Sequence, residues 1–155
     1  GVVPWYRQHR LPRRAGLIRQ HPGAETAVVA EPNDRLPGVL ALLADPLPMQ
    51  ALLQALQTEG IQVDVATDLA AARTLFFSAG GHDCLLVAPD VRPGLARQVL
   101  ASLRTVDPAL ACANFGPELG EKPAPARSAR LRGYHPSSRA GTGALLRFLR
   151  AVDRR

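Results

Sequence analysis

His82-Asp83-Cys84-Leu85-Leu86-Val87-Ala88 is the stretch that decides the fold. Its apolar part, residues 84–88, is too short for a stable helix. Gly80-Gly81 bounds it upstream and Pro89 downstream, so it reads as a strand with no polar face. A strand apolar on both sides belongs in a parallel sheet with helices packed above and below. Val39-Leu40-Ala41-Leu42-Leu43 is a second wholly apolar run, and Ile61-Gln62-Val63-Asp64-Val65-Ala66 and residues 109–115 read as further strands.

Between these runs the period changes to that of a helix. After the first strand, Asp45 reads as an N-cap with Pro46 at the first helical position, where its missing N–H costs nothing. Met49, Leu52, Leu53 and Leu56 follow as one apolar stripe, and Gly60 ends the helix. Thr67 or Asp68 caps a second helix with Leu69, Ala72 and Phe76 inward, closed by Gly80-Gly81. A third carries Leu95, Val99, Leu103 and Val106 and stops at Asp107-Pro108. The repeating strand–helix alternation predicts a doubly wound parallel α/β sheet with right-handed crossovers.

The pattern loosens after Gly116. Pro117, Pro123, Pro125 and Pro136 break up residues 117–139, so a fourth helix is short, over residues 126–131, or lost. Residues 131–135 are the expected site of a short fifth strand. Residues 141–152 return to helix, with Leu145, Leu149 and Val152 inward, Leu146 and Phe148 beside them, and Arg147 and Arg150 outward. At the other end, five prolines in residues 1–37 deny any sustained period. That stretch reads as a linker or the edge of a neighbouring module, with Thr26-Ala27-Val28-Val29-Ala30 as a candidate extra strand or docking segment. The domain proper is expected over residues 38–155.

Composition narrows the function classes. The chain has 155 residues, 46% hydrophobic and only 5% aromatic, enough for one aliphatic core plus extensions. Cys84 and Cys112 sit in apolar runs and read as buried thiols, not a disulfide. No apolar stretch reaches the ~20 residues that span a bilayer, and no signal-peptide pattern is read, so a cytoplasmic location is expected. The net charge of +6 is uneven, since residues 116–155 hold nine Lys/Arg against three acids and residues 38–115 hold four Arg against seven. Basic flanks suit an acidic partner. They lack the interleaved aromatics of single-strand binders, so nucleic acid is not expected.

Dedicated catalytic motifs are missing from the pattern. His9, His21, His82 and His135 have no Cys or carboxylate at zinc-like spacing, and no metal or cofactor is expected. Gly141-Thr142-Gly143 lacks the lysine and spacing of a phosphate loop. Arg10-Leu11-Pro12-Arg13-Arg14 matches the first half of an R-x-x-x-R cyclic-di-GMP pattern, without a second half.

Taken in order, Leu42-Leu43-Ala44-Asp45-Pro46-Leu47, the stretch from His82 to Ala88, and Tyr134-His135-Pro136 before the last helix resemble the receiver domain of two-component response regulators. The resemblance covers the chain from about Val39 to Asp153. It implies a flavodoxin-like sheet of five parallel strands in the order 2-1-3-4-5. It also implies that the family's chemistry is gone. The position of its phosphoacceptor aspartate holds Ala88, and the positions of its magnesium-binding acidic pair hold Leu43 and Ala44. Its Ser/Thr switch falls at Ala113 or Asn114, and its Lys-Pro lysine at His135, with Lys122-Pro123 as a competing placement that leaves too long a gap.

A methyl group neither accepts a phosphoryl group nor ligates a cation. The resemblance therefore implies a degenerate, non-enzymatic receiver that works by contact with a histidine-kinase or output domain, or by homodimerisation. Arg127, Arg130, Arg132, Arg139, Arg147 and Arg150 are the candidate contact residues. Two other readings stand beside it: a sensor that binds an anionic nucleotide such as cyclic-di-GMP through arginines, and a working phosphoreceiver that uses Asp90, two residues beyond Ala88.

Overall fold

A computed structural model describes residues 37–120 and 127–152. The candidate strand at 26–30, the Arg10–Arg14 pattern, Lys122-Pro123 and nearly all of the expected linker lie outside the described residues. Five strands, β1 (Gly38–Leu42), β2 (Gln62–Ala66), β3 (Cys84–Val87), β4 (Ala111–Asn114) and β5 (Ser128–Arg130), form one sheet. All pairs are parallel and the order is 2-1-3-4-5, as the strand–helix alternation and the resemblance require.

Among the described residues four helices complete the layers: α1 (Gln50–Thr58), α2 (Leu69–Ser78), α3 (Pro93–Val106) and α4 (Arg139–Ala151). A 3-10 turn, Leu47–Met49, leads into α1, and Asp45 does not take the expected N-cap position. Pro46 takes it for the turn and Met49 for α1, neither with a side-chain cap bond, while the Asp45 carboxylate accepts from the Leu47 N–H at 3.0 Å ahead of both. At α2 the choice of cap resolves to Asp68, whose side chain accepts from the Ala71 N–H at 2.7 Å. Right-handed crossovers place α1 on one face and α2 and α3 on the other. The Arg73 guanidinium of α2 bonds the Ser102 hydroxyl of α3, while α4 packs beside α1.

Register explains the apolar runs. Leu40 lies between Asp64 and Leu85, and Leu85 lies beside Cys112, so these four share a face; Ala41, Val65, Leu86 and Ala113 share the other. Strands β1 and β3 are fully buried because helices cover both sides. Cys84 and Cys112 are buried free thiols in β3 and β4, and burial, with Cys112 nearby, pushes the Cys84 thiol well up.

Two further sequence expectations need correction. The fifth strand is Ser128–Arg130, not residues 131–135, and it occupies much of the stretch offered to a short fourth helix. Arg104, near the end of α3, fixes this strand: its guanidinium donates to the Leu110 carbonyl at 2.8 and 3.0 Å and reaches the Arg127 carbonyl at 3.4 Å. Beyond the strand, Leu131 continues the ladder by donating to the Asn114 carbonyl at 2.7 Å, and the chain then turns back through Tyr134. Val106, expected inward, is 52% exposed, since it is the last residue of α3. Among the described residues no helix is long and apolar enough to cross a membrane.

Candidate functional site

In a doubly wound sheet the loops after the strand C-termini carry the chemistry. At that edge three segments meet here: residues 43–45 after β1, residues 88–90 after β3, and residues 114–117 at the end of β4. Leu43 and Ala88 are buried, 1% and 0% exposed, whereas Ala44, Asp45 and Asp90 are exposed. Ala88 still belongs to the ladder, donating its N–H to the Leu42 carbonyl at 2.9 Å. Its methyl therefore ends the strand inside the core.

The end of β4 closes over this point. Asn114 folds its side chain back on its own turn: Oδ1 accepts from the Gly116 N–H at 2.8 Å, and Nδ2 donates to the Pro117 carbonyl at 2.8 Å. The turn brings Gly116 so near β3 that a Cβ there would lie 3.3 Å from the Ala88 carbonyl oxygen and 3.5 Å from the Pro89 Cα. Phe115, buried, anchors the turn from below and bonds the Val87 carbonyl at 2.9 Å through its N–H. Glycine suits position 116 because backbone passes close to backbone. Ala113, the other candidate switch position, is buried in mid-strand opposite Leu86 and Ala129.

Asp90 is where sequence reasoning left alternatives open. Both of its oxygens are engaged by the β1–α1 loop: Oδ1 accepts from the Ala44 N–H at 3.1 Å and Oδ2 from the Asp45 N–H at 2.9 Å. Its carboxylate thus spans from the loop after β3 to the loop after β1. His135 lies in the turn before α4 and bonds within that turn, its Nδ1 contacting the Ser137 N–H at 3.1 Å and hydroxyl at 2.6 Å. Its carbonyl accepts from the Ser138 hydroxyl at 2.7 Å, and Ser138 in turn caps α4 by accepting from the Gly141 N–H. Among the described residues no group of three or more His, Cys, Asp or Glu is placed to hold a metal ion.

The six arginines do not act as one patch. Arg127 is half-buried, and the other five are exposed. Arg130 pairs with Glu118 at 3.2 Å and Arg150 with Glu59 of α1 at 3.6 Å, both on the surface. Arg139, Arg147 and Arg150 fall in one sector of α4, opposite Leu145 and Leu149, and the helix has no acidic residue. A cleft between β4, β5 and the Glu118-Leu119 segment is lined by Cys112, Asn114, Ser128 and Arg130. Its volume, about 20 Å³, suits a single water and is far below that of small-molecule sites.

Sequence reasoning missed the Asn114–Gly116 turn and the two N–H partners of Asp90. The first has a local signal, since an Asn two residues before a Gly favours a side-chain-capped turn. The second joins residues 45 and 46 positions apart and has none.

Strand order, all-parallel pairing and helix placement make this a receiver-like α/β fold. The non-phosphorylated HemR receiver domain from Leptospira biflexa superposes with a TM-score of 0.55 at 15% sequence identity, over 73% of this chain and 94% of that one. At that identity the likeness is one of fold. The sequence matches no protein-family model and no curated protein.

Proposed function

We propose that this domain is a non-phosphorylatable, receiver-like regulatory module of a bacterial signalling protein, acting by contact with a neighbouring or partner domain and not by catalysis. The observation that carries the reading is Ala88. The strand end where the family's chemistry would reside holds a fully buried methyl, and the Gly116 backbone passes close to the Ala88 carbonyl. Phosphoryl transfer to a carboxylate needs a nucleophilic oxygen and a cation held by oxygen ligands. The residues in the matching positions, Leu43, Ala44 and Ala88, offer neither among their side chains. Asp90, the remaining carboxylate on that loop, has both oxygens committed to backbone donors.

With the chemistry absent, the use of such a fold lies on its surface. The stripe Arg139, Arg147 and Arg150 on α4, with Arg132 exposed in the preceding loop, fits an acidic protein surface. Arg150 already meets Glu59 of α1, whereas Arg139 and Arg147 have no acidic residue on their own helix, which leaves charge for a partner to neutralise. Incubation with acetyl phosphate and Mg²⁺ followed by intact-mass measurement tests the first half of the reading. No phospho-adduct is expected, and a stoichiometric adduct abolished by Asp90→Ala would overturn it.

A further inference from the structure

The last ladder bonds at the top of β1 are those from Ala88 N–H to the Leu42 carbonyl and from Leu43 N–H to the Ala66 carbonyl. Beyond them the chain diverges, with β1 leading to a helix on one face and β3 to a helix on the other. Ala44 and Asp45 then present two successive backbone N–H groups at an exposed edge, with no strand beside them to accept. Such consecutive donors form a concave, anion-favouring pair. The turn from Ala88 to Val91, closed by the Val91 N–H on the Ala88 carbonyl at 3.3 Å and anchored by buried Val91, sets Asp90 at its apex. From there the carboxylate meets both donors, one per oxygen, at 3.1 and 2.9 Å.

We propose that Asp90 is a latch: its carboxylate, bound to the Ala44 and Asp45 N–H groups, locks the β1–α1 and β3–α3 loops together in one arrangement without metal or phosphoryl group. The inference rests on the reading of the module as non-phosphorylatable and adds what holds its top edge in place of switching. Two hydrogen bonds to an ionised acceptor, converging from adjacent residues, fix orientation as well as distance. The β3–α3 loop cannot swing outward without stripping both donors at once. Because α1 and α3 lie on opposite faces of the sheet, the latch ties the two layers at the sheet's upper edge.

Amide hydrogen exchange on the full chain, read residue by residue by NMR, tests the latch. In Asp90→Ala the Ala44 and Asp45 amides should exchange roughly tenfold to a hundredfold faster, as for loss of a charge-assisted bond. The amides of Val99 and Leu103 in α3 should keep their protection, which shows that the fold persists. Asp90→Asn, which keeps one carbonyl oxygen, should release one of the two amides more than the other. Millimolar Mg²⁺ should leave both amide positions unmoved in the parent. Unchanged exchange at Ala44 and Asp45 in both variants would overturn the latch, and so would a Mg²⁺-dependent shift centred on Asp90. Neither result produces a phospho-adduct, so failure of the latch is distinguishable from failure of the regulatory reading.

Discussion

Nε2 of His82 lies 2.7 Å from Oδ2 of Asp64, with both side chains almost wholly buried under α2. Phe76 stacks on the imidazole with ring centroids 5.7 Å apart, so the pair is sealed by the helix that crosses from β2 to β3. Removing one partner strands a polar group in the core, whereas replacing both by apolar residues does not. His82→Leu or Asp64→Leu alone should destabilise by roughly 3–5 kcal/mol, and the double variant should recover much of that loss. Chemical denaturation of the four proteins measures the coupling. Additive losses would show that the contact carries no special energy.

Leu86 is fully buried at the centre of β3, flanked in register by Ala41 and Ala113. Its small neighbours leave nothing to fill the space, so Leu86→Ala should cost about 2–5 kcal/mol. Leu52 of α1 and Leu149 of α4, both fully buried, should behave alike. A melting temperature within about a degree of the parent for Leu86→Ala would contradict the core assignment.

The raised pKa of Cys84 has a signed consequence. The folded protein holds the thiol proton where the unfolded chain, with an ordinary thiol near pH ~8.5, begins to lose it. Below that range the group leaves stability unaffected; as pH rises through it, the unfolded state releases the proton first and stability falls. Thiol titration should find Cys84 inert in the native state near neutrality and reactive in denaturant. Rapid native-state labelling would contradict its burial.

Exposed arginines set the expected outcome on the contact face. Joint replacement of Arg139, Arg147 and Arg150 by Ala, or of exposed Arg130 and Arg132 with half-buried Arg127, should change stability by no more than ~0.5 kcal/mol per exposed site. The surface pairs with Glu118 and Glu59 add little to that figure. If the proposed contact with an acidic partner domain holds, the folded variants should lose binding to that partner. Calorimetry with cyclic-di-GMP should show no heat; micromolar binding lost on replacing these arginines would favour a nucleotide sensor.

What was legible in the sequence follows from burial. Strands β1 and β3 are covered on both sides and so are apolar without interruption, and β4, equally buried, is apolar up to its last residue, Asn114. Strand β5 is an edge strand of three half-buried or exposed residues, Ser128-Ala129-Arg130, and carries no such run. Leu131, its buried neighbour, drew the expected strand a few residues too far along. Val106 continued the stripe of Leu103 by spacing alone, yet it closes α3 at an exposed end. At the site, order along the chain and the resemblance alone are what assign Leu43, Ala44 and Ala88 to the acidic-pair and phosphoacceptor positions. The tie between Asp90 and Ala44 could not, because it depends on how two loops converge after distant strands.

The amide spectrum of the chain with and without Mg²⁺ plus beryllofluoride tests the proposed loss of strand-end chemistry. Beryllofluoride mimics a phosphoryl group on a carboxylate held beside a cation. No change is expected at Ala44, Ala88, Asp90 or Gly116, since both Asp90 oxygens already accept from the Ala44 and Asp45 N–H groups. A saturable second set of resonances for those residues, lost in Asp90→Ala, would contradict it.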